Sequence, residues 1–434
     1  MKKDYQTKAA SAATTEFVMP DRVSVAMAEL TENMKEGLLA LAVGAGLQVM
    51  HVLMADSATE VCGPKGRHNP ERTAVRHGSE AGSVSLGGRR VPVRRPRVRS
   101  ADGIAEVAVP AYELFNGTEL LDAMALERMM AKLSTRRYAA GLEPVGTAVE
   151  TIARSTSRSA VSRRFVRATE VALGEMMTAD LTGLDLVAIM IDGVHFAGHC
   201  CVVALGISID GRKHPLALEE GDTENTTVVK DLLAGMRDRG LDTTRPTLFV
   251  LDGAKALHAG VKAVFDQPVI QRCQLHKIRN VEAKLPDRLA ATVSSKMRAA
   301  YRSDNALQAE SDLRALAGDL AKAHPGAAGS LLEGLTETLT VVRLGLPPIL
   351  RSTLRSTNAI ESMIEICRDH STNVKRWRDG EMVLRWCAAG MGEAAKQFRR
   401  VKGYLHLPAL RAALDAHAAA LTVTPPCEDE EEAA

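Results

Sequence analysis

Leu184-Asp-Leu-Val-Ala-Ile-Met-Ile191 is a short apolar run that ends in Asp192-Gly193, and Thr247-Leu-Phe-Val-Leu251 is another, ended by Asp252-Gly253. Runs this short, closed by a turn dipeptide, read as buried strands, because a helix needs more length to hide an apolar face. Between them, Cys200 to Ile209 forms a second strand closed by an Asp210-Gly211 turn, and Lys213 to Glu219 a third. A helix is expected from about Asn225 to Arg239, with Asp222, Thr223 or Glu224 available near its start. Past Asp252, a helix from Ala254 to Phe265 and a strand from Val269 to Arg272 complete the run. Three strands joined by hairpins, then strand and helix alternating, describe an α/β domain with a mixed sheet and helices on both faces.

The flanks differ in kind. Residues 281–345 are rich in Ala and Leu at helical spacing and too long for a loop, so they read as a helical insertion before the chain returns at Pro347-Pro348. The last helices run from Ser356 to roughly Arg400 and carry Trp377 and Trp386, of which Trp386 is expected to be buried; a short helix from Leu407 precedes an acidic tail. Upstream, residues 118–175 are helical with a break at Gly141 to Gly146. In them, Leu133 to Tyr138 and Ser157 to Arg167 read as helix starts rich in Ser and Arg. Short polar residues followed by arginines suit the end of a DNA-reading helix, which makes Arg136, Arg137, Arg158, Arg163, Arg164 and Arg167 candidate phosphate and base contacts. Ser83 to Arg95 alternates around Gly87-Gly88, a two-residue hairpin signal. With Arg94, Arg95, Arg97 and Arg99 it reads as a basic arm for phosphates rather than a core element.

The formal net charge of +2 on 434 residues hides an asymmetry: between Cys62 and Ser100 ten cations face only Glu71 and Glu80. A local basic surface on a near-neutral chain points to a polyanionic partner, the plain alternative for each run being a solvated face. Seven scattered cysteines without a Cys-x-x-Cys pair argue for a reducing compartment and against a disulfide framework. No signal peptide opens the sequence, and a cytoplasmic location is expected. Gly37 to Ala55 is membrane-like in composition, but Gln48, His51 and three glycines favour a buried amphipathic helix over a span.

Asp192 and Asp252 stand at matching strand ends. If the strands are neighbours, the carboxylates emerge side by side and repel unless a cation lies between them, which makes Mg²⁺ the natural occupant. Against that stands the turn chemistry of any Asp-Gly pair, as at Asp210-Gly211. A third carboxylate is needed, and the stretch from Ser356 to Glu365 offers Glu361 and Glu365 one helical turn apart, with Thr357 or Asn358 as cap. Spacing alone does not choose between them. Cys273 and His276 form a Cys-x-x-His pair; zinc would need two more ligands, so His276 reads as a neighbour of the carboxylates, a hydrogen-bond partner or a contact to the scissile phosphate, the plain alternative being a satisfied structural histidine. His195 and His199 are candidates to line the same cleft. The absence of a Gly-x-x-x-x-Gly-Lys-Ser/Thr loop speaks against ATP hydrolysis.

Five strings carry a resemblance: Asp192-Gly-Val-His-Phe196, Leu251-Asp-Gly253, Gln271-Arg-Cys-Gln-Leu-His-Lys277, Ser356-Thr-Asn-Ala-Ile-Glu-Ser362 and Asn373-Val-Lys-Arg-Trp-Arg-Asp-Gly380. In order they are similar to signatures of the Mutator-like bacterial insertion-sequence transposases, from about Thr31 to Gly403. The resemblance implies a ribonuclease H-like catalytic domain, whose strand order the run above follows, with an all-helical insertion and mainly α N-terminal DNA-binding domains. It implies an Asp-Asp-Glu set on Asp192, Asp252 and Glu361 (rather than Glu365), two Mg²⁺ ions with Mn²⁺ as a substitute, and Cys273 and His276 near the active site. The implied activity is hydrolysis at a transposon 3′ end followed by attack of that 3′-OH on another phosphodiester; nothing in the residues separates a copy-out route from cut-and-paste. Arg355, Lys375, Arg376 and Arg378 are then candidates to hold phosphates near Glu361, and Trp377 to stack on an unpaired base.

The expected partition is residues 1–20 as a loose terminus, 21–110 as helices plus the basic hairpin, and 111–178 as a helical DNA-binding region. The catalytic core follows in 179–280 and 347–403, interrupted by the insertion 281–346, and 404–434 closes with a helix and the acidic tail. Expected partners are double-stranded DNA, as terminal inverted repeats and target, and a second copy of the chain. The rival expectations are a nuclease of the same fold without strand transfer, and a DNA-binding regulator whose site is idle.

Overall fold

The computed structural model describes residues 21–67, 71–221 and 225–423. The expected loose terminus, the acidic tail and the caps considered at 222–224 lie outside the described residues. The chain divides into two compact units, one holding residues up to Met124 with Arg136–Val161, the other Ala125–Thr135 with Ser162 onward.

The first unit opens with one long helix, α1 (Asp21–Cys62), followed by β1 (Ala74–Leu86), β2 (Arg89–Ser100), β3 (Glu106–Val107), α2 (Pro110–Asn116), α3 (Glu119–Met130, which continues into the other unit) and α4 (Thr147–Ile152). The Gly87-Gly88 turn is present, with φ of +55° and +75°. Two consecutive left-handed residues are what a two-residue hairpin demands, because that twist matches the flanking strands. The hairpin is not a free arm. Val84, Val91, Val93 and Val98 pack with Met54, Ala58 and Tyr112 into the core of this unit. The expectation of a buried helix at Gly37 to Ala55 is also corrected: Leu38, Val49 and Val52 are each more than half exposed, and among the described residues of that stretch only Met54 is buried. Its apolar residues are spread around the helix, and the small core has room for one side of it. Among the described residues no helix is long and apolar enough to cross a membrane.

A helix, α5 (Arg158–Thr178), starts where expected, at the end of the first unit's residues, and runs on into the second, Ser157 Oγ accepting from the Ala160 N–H at 3.4 Å. The other expected helix start, Leu133 to Tyr138, is a turn, with Lys132 at φ +67° and the Tyr138 ring fully buried. The sheet follows: β4 (Leu186–Phe196), β5 (His199–Ser208), β6 (Lys213–Gly221), α6 (Thr226–Asp238), β7 (Thr247–Leu251), α7 (Lys255–Val264) and β8 (Pro268–Arg272). Strand order is β6-β5-β4-β7-β8, antiparallel through β4 and parallel beyond it. The α6 cap is Asn225, whose side chain accepts from the N–H groups of Thr227 and Val228.

Both sheet faces are covered, which is why the strands read as continuous apolar runs. Ile189 and Ile191 of β4 face α6 and α7 through Val229, Leu232, Leu257 and Val261. Val187, Met190 and Val194 face the other way. That layer is made by α15 (Asn358–His370), α16 (Gly380–Gln397) and α17 (Leu407–Val423), through Ile360, Met363, Val383, Cys387 and Leu410. Each such side chain, fully buried, contributes about 1.5–3 kcal/mol.

Between sheet and last helices stand α8 (Gln274–Glu282), α9 (Asp287–Ala300), α10 (Ala306–Ala321), α11 (Pro325–Leu332), α12 (Leu335–Thr338), α13 (Thr340–Arg343) and α14 (Pro348–Leu354). From α8 to α13 they share a core of their own, including Val281, Met297, Leu313, Leu331 and Leu339.

Candidate active site

Asp192 does not end its strand. β4 runs on to Phe196, with Asp192 opposite Val203 of β5, so Asp192-Gly193 is not a turn. What ends there is the pairing with β7, whose last rung is Ile191 with Leu251. Asp192 and Asp252 are the next residues on two parallel neighbours, and side by side is where they fall. Asp192 Oδ1 accepts from the Gly193 N–H at 2.9 Å, and Asp252 Oδ1 from the Ala254 N–H at 2.8 Å. Burial, then the charge of Asp252 and more weakly that of Glu361, push the Asp192 carboxyl up to about 6.

Glu361 arrives from the opposite layer, in the first turn of α15. Thr357, fully buried, donates its hydroxyl to Glu361 Oε1 at 2.5 Å and so fixes the direction of the carboxylate. His276 on α8 completes the group, its Nδ1 lying 3.9 Å from Glu361 Oε1 and 3.4 Å from Thr357 Oγ1. Together Asp192, Asp252, His276 and Glu361 line a cleft of about 410 Å³, with Glu365 and Arg368 on its wall. The two candidate glutamates are thus both at the cleft, but only Glu361 acts on Asp192 electrostatically.

Cys273 is buried and caps α8, its Sγ accepting from the His276 N–H at 3.5 Å and lying 3.4 Å from Thr357 Oγ1. Burial pushes the thiol up, and hydrogen bonds with His276 and Thr357 outweigh it, leaving it below its ordinary value. A hydrogen bond between the His276 and Cys273 side chains, opposed by burial and aided by the charges of Cys273, Glu361 and Asp252, raises His276 to about 8. Donor atoms of Cys273, His276 and Glu361 lie within 4.8 Å of one another. That is three donors, one short of a closed tetrahedral zinc set, and the sulfur is already engaged.

Several candidates fall elsewhere. His195 is exposed and alternates to the strand face opposite Asp192; His199 pairs with Glu220 at 2.8 Å; neither lines the cleft. Trp377 packs against Phe196 and Trp386, with ring centres 4.9 and 6.2 Å away, which leaves its faces little room for a base. Trp386 is buried, as expected. Arg95 pairs with Glu80 and Glu106, and Arg97 with Glu106 at 2.9 Å and Glu80 at 3.2 Å, so the hairpin answers part of its own charge. Arg94 is exposed and donates to Ser79. Arg164 is buried, 4% exposed, and turned from solvent, whereas Arg136, Arg137, Arg158, Arg163 and Arg167 are exposed. Lys375, Arg376 and Arg378 are exposed between α15 and α16 and Arg355 is half-buried; none of the four lines the cleft.

Sequence reasoning missed what the polar residues around Cys273 do. Arg272 donates to Gly253 O at 2.9 Å and to Glu333 O at 3.0 Å. Gln271 and Gln274 both donate to Thr338 O, and Lys277 to Ser330 O and Glu333 O, each at 2.7 Å. These are four buried polar side chains in seven residues, all spent on backbone carbonyls of the helical insertion or of the loop after Asp252. The density of Gln, Arg and Lys directly after an apolar strand was the available signal, and only the contacts show where it points.

The model of the family "Transposase, Mutator family" matches residues 21–401. The transposase of insertion sequence element ISRM5 from Rhizobium meliloti is 26% identical over 369 residues, covering 84% of this chain and 89% of that protein. That of element IS6120 from Mycolicibacterium smegmatis is 30% identical over 195 residues, 44% of this chain and 59% of its own. That of IS256 in transposon Tn4001 from Staphylococcus aureus is 26% identical over 250 residues, 55% and 60% of the two chains. The mixed α/β unit and its acidic cleft therefore sit in a protein of DNA rearrangement. The chain belongs to the Mutator family of transposases.

Proposed function

We propose that this chain is the transposase of a bacterial insertion sequence, which binds the element's terminal inverted repeats and cleaves and joins DNA at the cleft of Asp192, Asp252 and Glu361. The observation that carries the reading is the convergence of those three carboxylates, from β4, the end of β7 and α15, on one cleft in a chain of this family. The sheet order supports a ribonuclease H-like catalytic core interrupted by a helical insertion, with DNA-binding elements ahead of it in the chain.

The donor set fits Mg²⁺, with Mn²⁺ as a substitute. Three oxygen donors with Asp192 held up to about 6 mark an anionic field that His276 and Arg368 do not neutralise, and hard divalent cations prefer oxygen. Asp192, Asp252 and Glu361 would hold the metal, which when bound as a pair activates the attacking oxygen and stabilises the leaving one. The protein's own groups orient the reactants. Thr357 locks Glu361; His276, protonated at neutral pH, offers a donor to a phosphate oxygen; Arg355, Arg368, Lys375, Arg376 and Arg378 bind the backbone on either side. Bringing two element ends together requires a dimer or larger assembly on DNA, and the site of action is the cytoplasmic nucleoid.

The test is cleavage and strand transfer on candidate end DNA with Mg²⁺, comparing wild type, Glu361→Gln and Glu365→Gln. Wild type and Glu365→Gln should join a 3′ end to a new phosphodiester, while Glu361→Gln binds DNA and does neither step. Cutting without joining would make the protein a nuclease. Binding without cutting in the wild type would make it a regulator.

A further inference from the structure

Next to the carboxylate cleft, two adjoining hollows of about 250 and 210 Å³ share Gln274, Tyr301, Arg302 and Arg355. Their outer walls add Arg351 on one side and Arg298 on the other, so four guanidinium groups from α9, the turn after it and α14 border one groove. Two of the four are answered: Arg351 by Asp304 and the Ser303 carbonyl, Arg298 by Glu282 at 3.9 Å. Arg302 donates its Nε to the Arg298 carbonyl, and neither Arg302 nor Arg355 has a carboxylate partner among the described residues. Tyr301 adds no negative charge, since burial pushes its phenol up to about 12. The groove therefore carries an excess of positive charge.

Its apolar surface is the exposed Pro348, backed by the buried Val341, Val342 and Tyr301, and the buried Gln274 Oε1 accepts no hydrogen bond. Cations beside an apolar surface suit an unpaired nucleotide, phosphate on the arginines and base against Pro348. Size points the same way, since a hollow of about 250 Å³ admits a base and sugar. A duplex, whose major groove alone is about 12 Å wide, does not enter. Position links the groove to chemistry. The Gln274 N–H donates to Arg355 O at 2.9 Å, joining its two walls; two residues on, one wall carries His276, which lines the cleft, and the other the buried Thr357, which holds Glu361.

We propose that the groove between α8, α9 and α14 holds a short single-stranded stretch of DNA leading away from the cleavage site, with its phosphates on Arg302 and Arg355. This rests on the reading that the adjacent cleft acts on DNA, and it assigns the helical insertion a share of substrate binding.

The experiment is fluorescence anisotropy of the full chain without divalent metal, using a labelled single strand of about 8 nucleotides and a duplex of the same sequence. Arg302 is exposed, so Arg302→Ala leaves the fold intact, which its melting temperature checks. Loss of one charge-assisted contact should weaken single-strand binding about tenfold. Arg302→Lys should recover most of it, and Ser352→Glu, at the groove's rim, should lower it again. Duplex affinity should stay within about twofold throughout. Unchanged single-strand binding in both Arg302→Ala and Ser352→Glu, or an equal loss for duplex, overturns the assignment. A wild type that joins DNA ends but binds no single strand refutes the groove and spares the transposase reading. One that binds single strand through Arg302 yet neither cuts nor joins does the reverse.

Discussion

Replacing Arg272 by Met would remove a bracket between the helical insertion and the loop that carries Asp252. The guanidinium holds Gly253 O and Glu333 O, lies 3.5 Å from Glu337 through Nε, and is packed so closely that a Cβ on Gly334 would stand 2.6 Å from its Nη1. Methionine fills much of the volume and keeps none of the hydrogen bonds. Two carbonyls left without partners cost about 1–3 kcal/mol each if water does not reach them. Relief of the buried charge offsets part of that, leaving about 2–4 kcal/mol. For a unit of this size that is a fall of about 5–15 °C in melting temperature. Function should suffer by a separate route. Gly253, at φ +108°, follows Asp252 directly, and freeing its carbonyl lets the carboxylate drift. A displacement of about 1 Å in an oriented site costs on the order of 10²-fold in rate. The assays are thermal melting and a Mg²⁺ titration of end cleavage, with end-DNA affinity as control. The variant should need more Mg²⁺ for half-maximal rate and reach a lower plateau while binding DNA normally. A variant that melts with the wild type, or cleaves at its rate at every Mg²⁺ concentration, refutes the bracket.

Three other outcomes follow from the same contacts. Burial, reinforced by Arg272, depresses Lys277 to about 8 from an ordinary 10.5, so between those values the unfolded chain binds a proton that the folded chain has released. Folding stability should therefore gain from this group as pH rises through that window, and denaturation of wild type against Lys277→Met should show a difference that grows with pH; a constant difference removes Lys277 from the account. Gly390→Ala would place a Cβ 2.9 Å from Cys367 Cα, where α16 crosses α15, and overpacking of about 1–3 kcal/mol should lower the melting temperature by several degrees; an unchanged melting curve would mean the helices separate freely. Arg163→Ala with Arg167→Ala should weaken binding to end DNA and flatten its salt dependence, while Arg164→Ala should act on stability instead; unchanged DNA affinity in the double variant would move recognition to other cations.

What the sequence determined by itself was local. A strand such as Leu248 to Leu251, apolar on both sides, has to be covered twice, and that is written in consecutive residues. Two glycines between alternating runs fold back as a hairpin because few other residues accept those backbone angles. The count and order in sequence of the strands in the second unit's sheet, and the helical character of residues 281–345, were legible for this reason. Which charges remain free to act was not, because it is settled by partners distant in the chain. Arg89 looks like its neighbours in the basic run, yet it is buried and donates to Glu143 O, 54 residues away. Arg95 and Arg97 are spent on acids of adjacent strands, and Arg164 is turned inward, while Arg302, unremarkable as a letter, is left facing a groove beside Arg355. Glu361 and Glu365 likewise share a helix face at the cleft. What separates them is the Thr357 hydroxyl and the proximity of Asp192, both created when α15 packs on β4. Periodicity reports how one residue faces the core; the electrostatics of a site depends on pairs, and those exist only once the chain has folded.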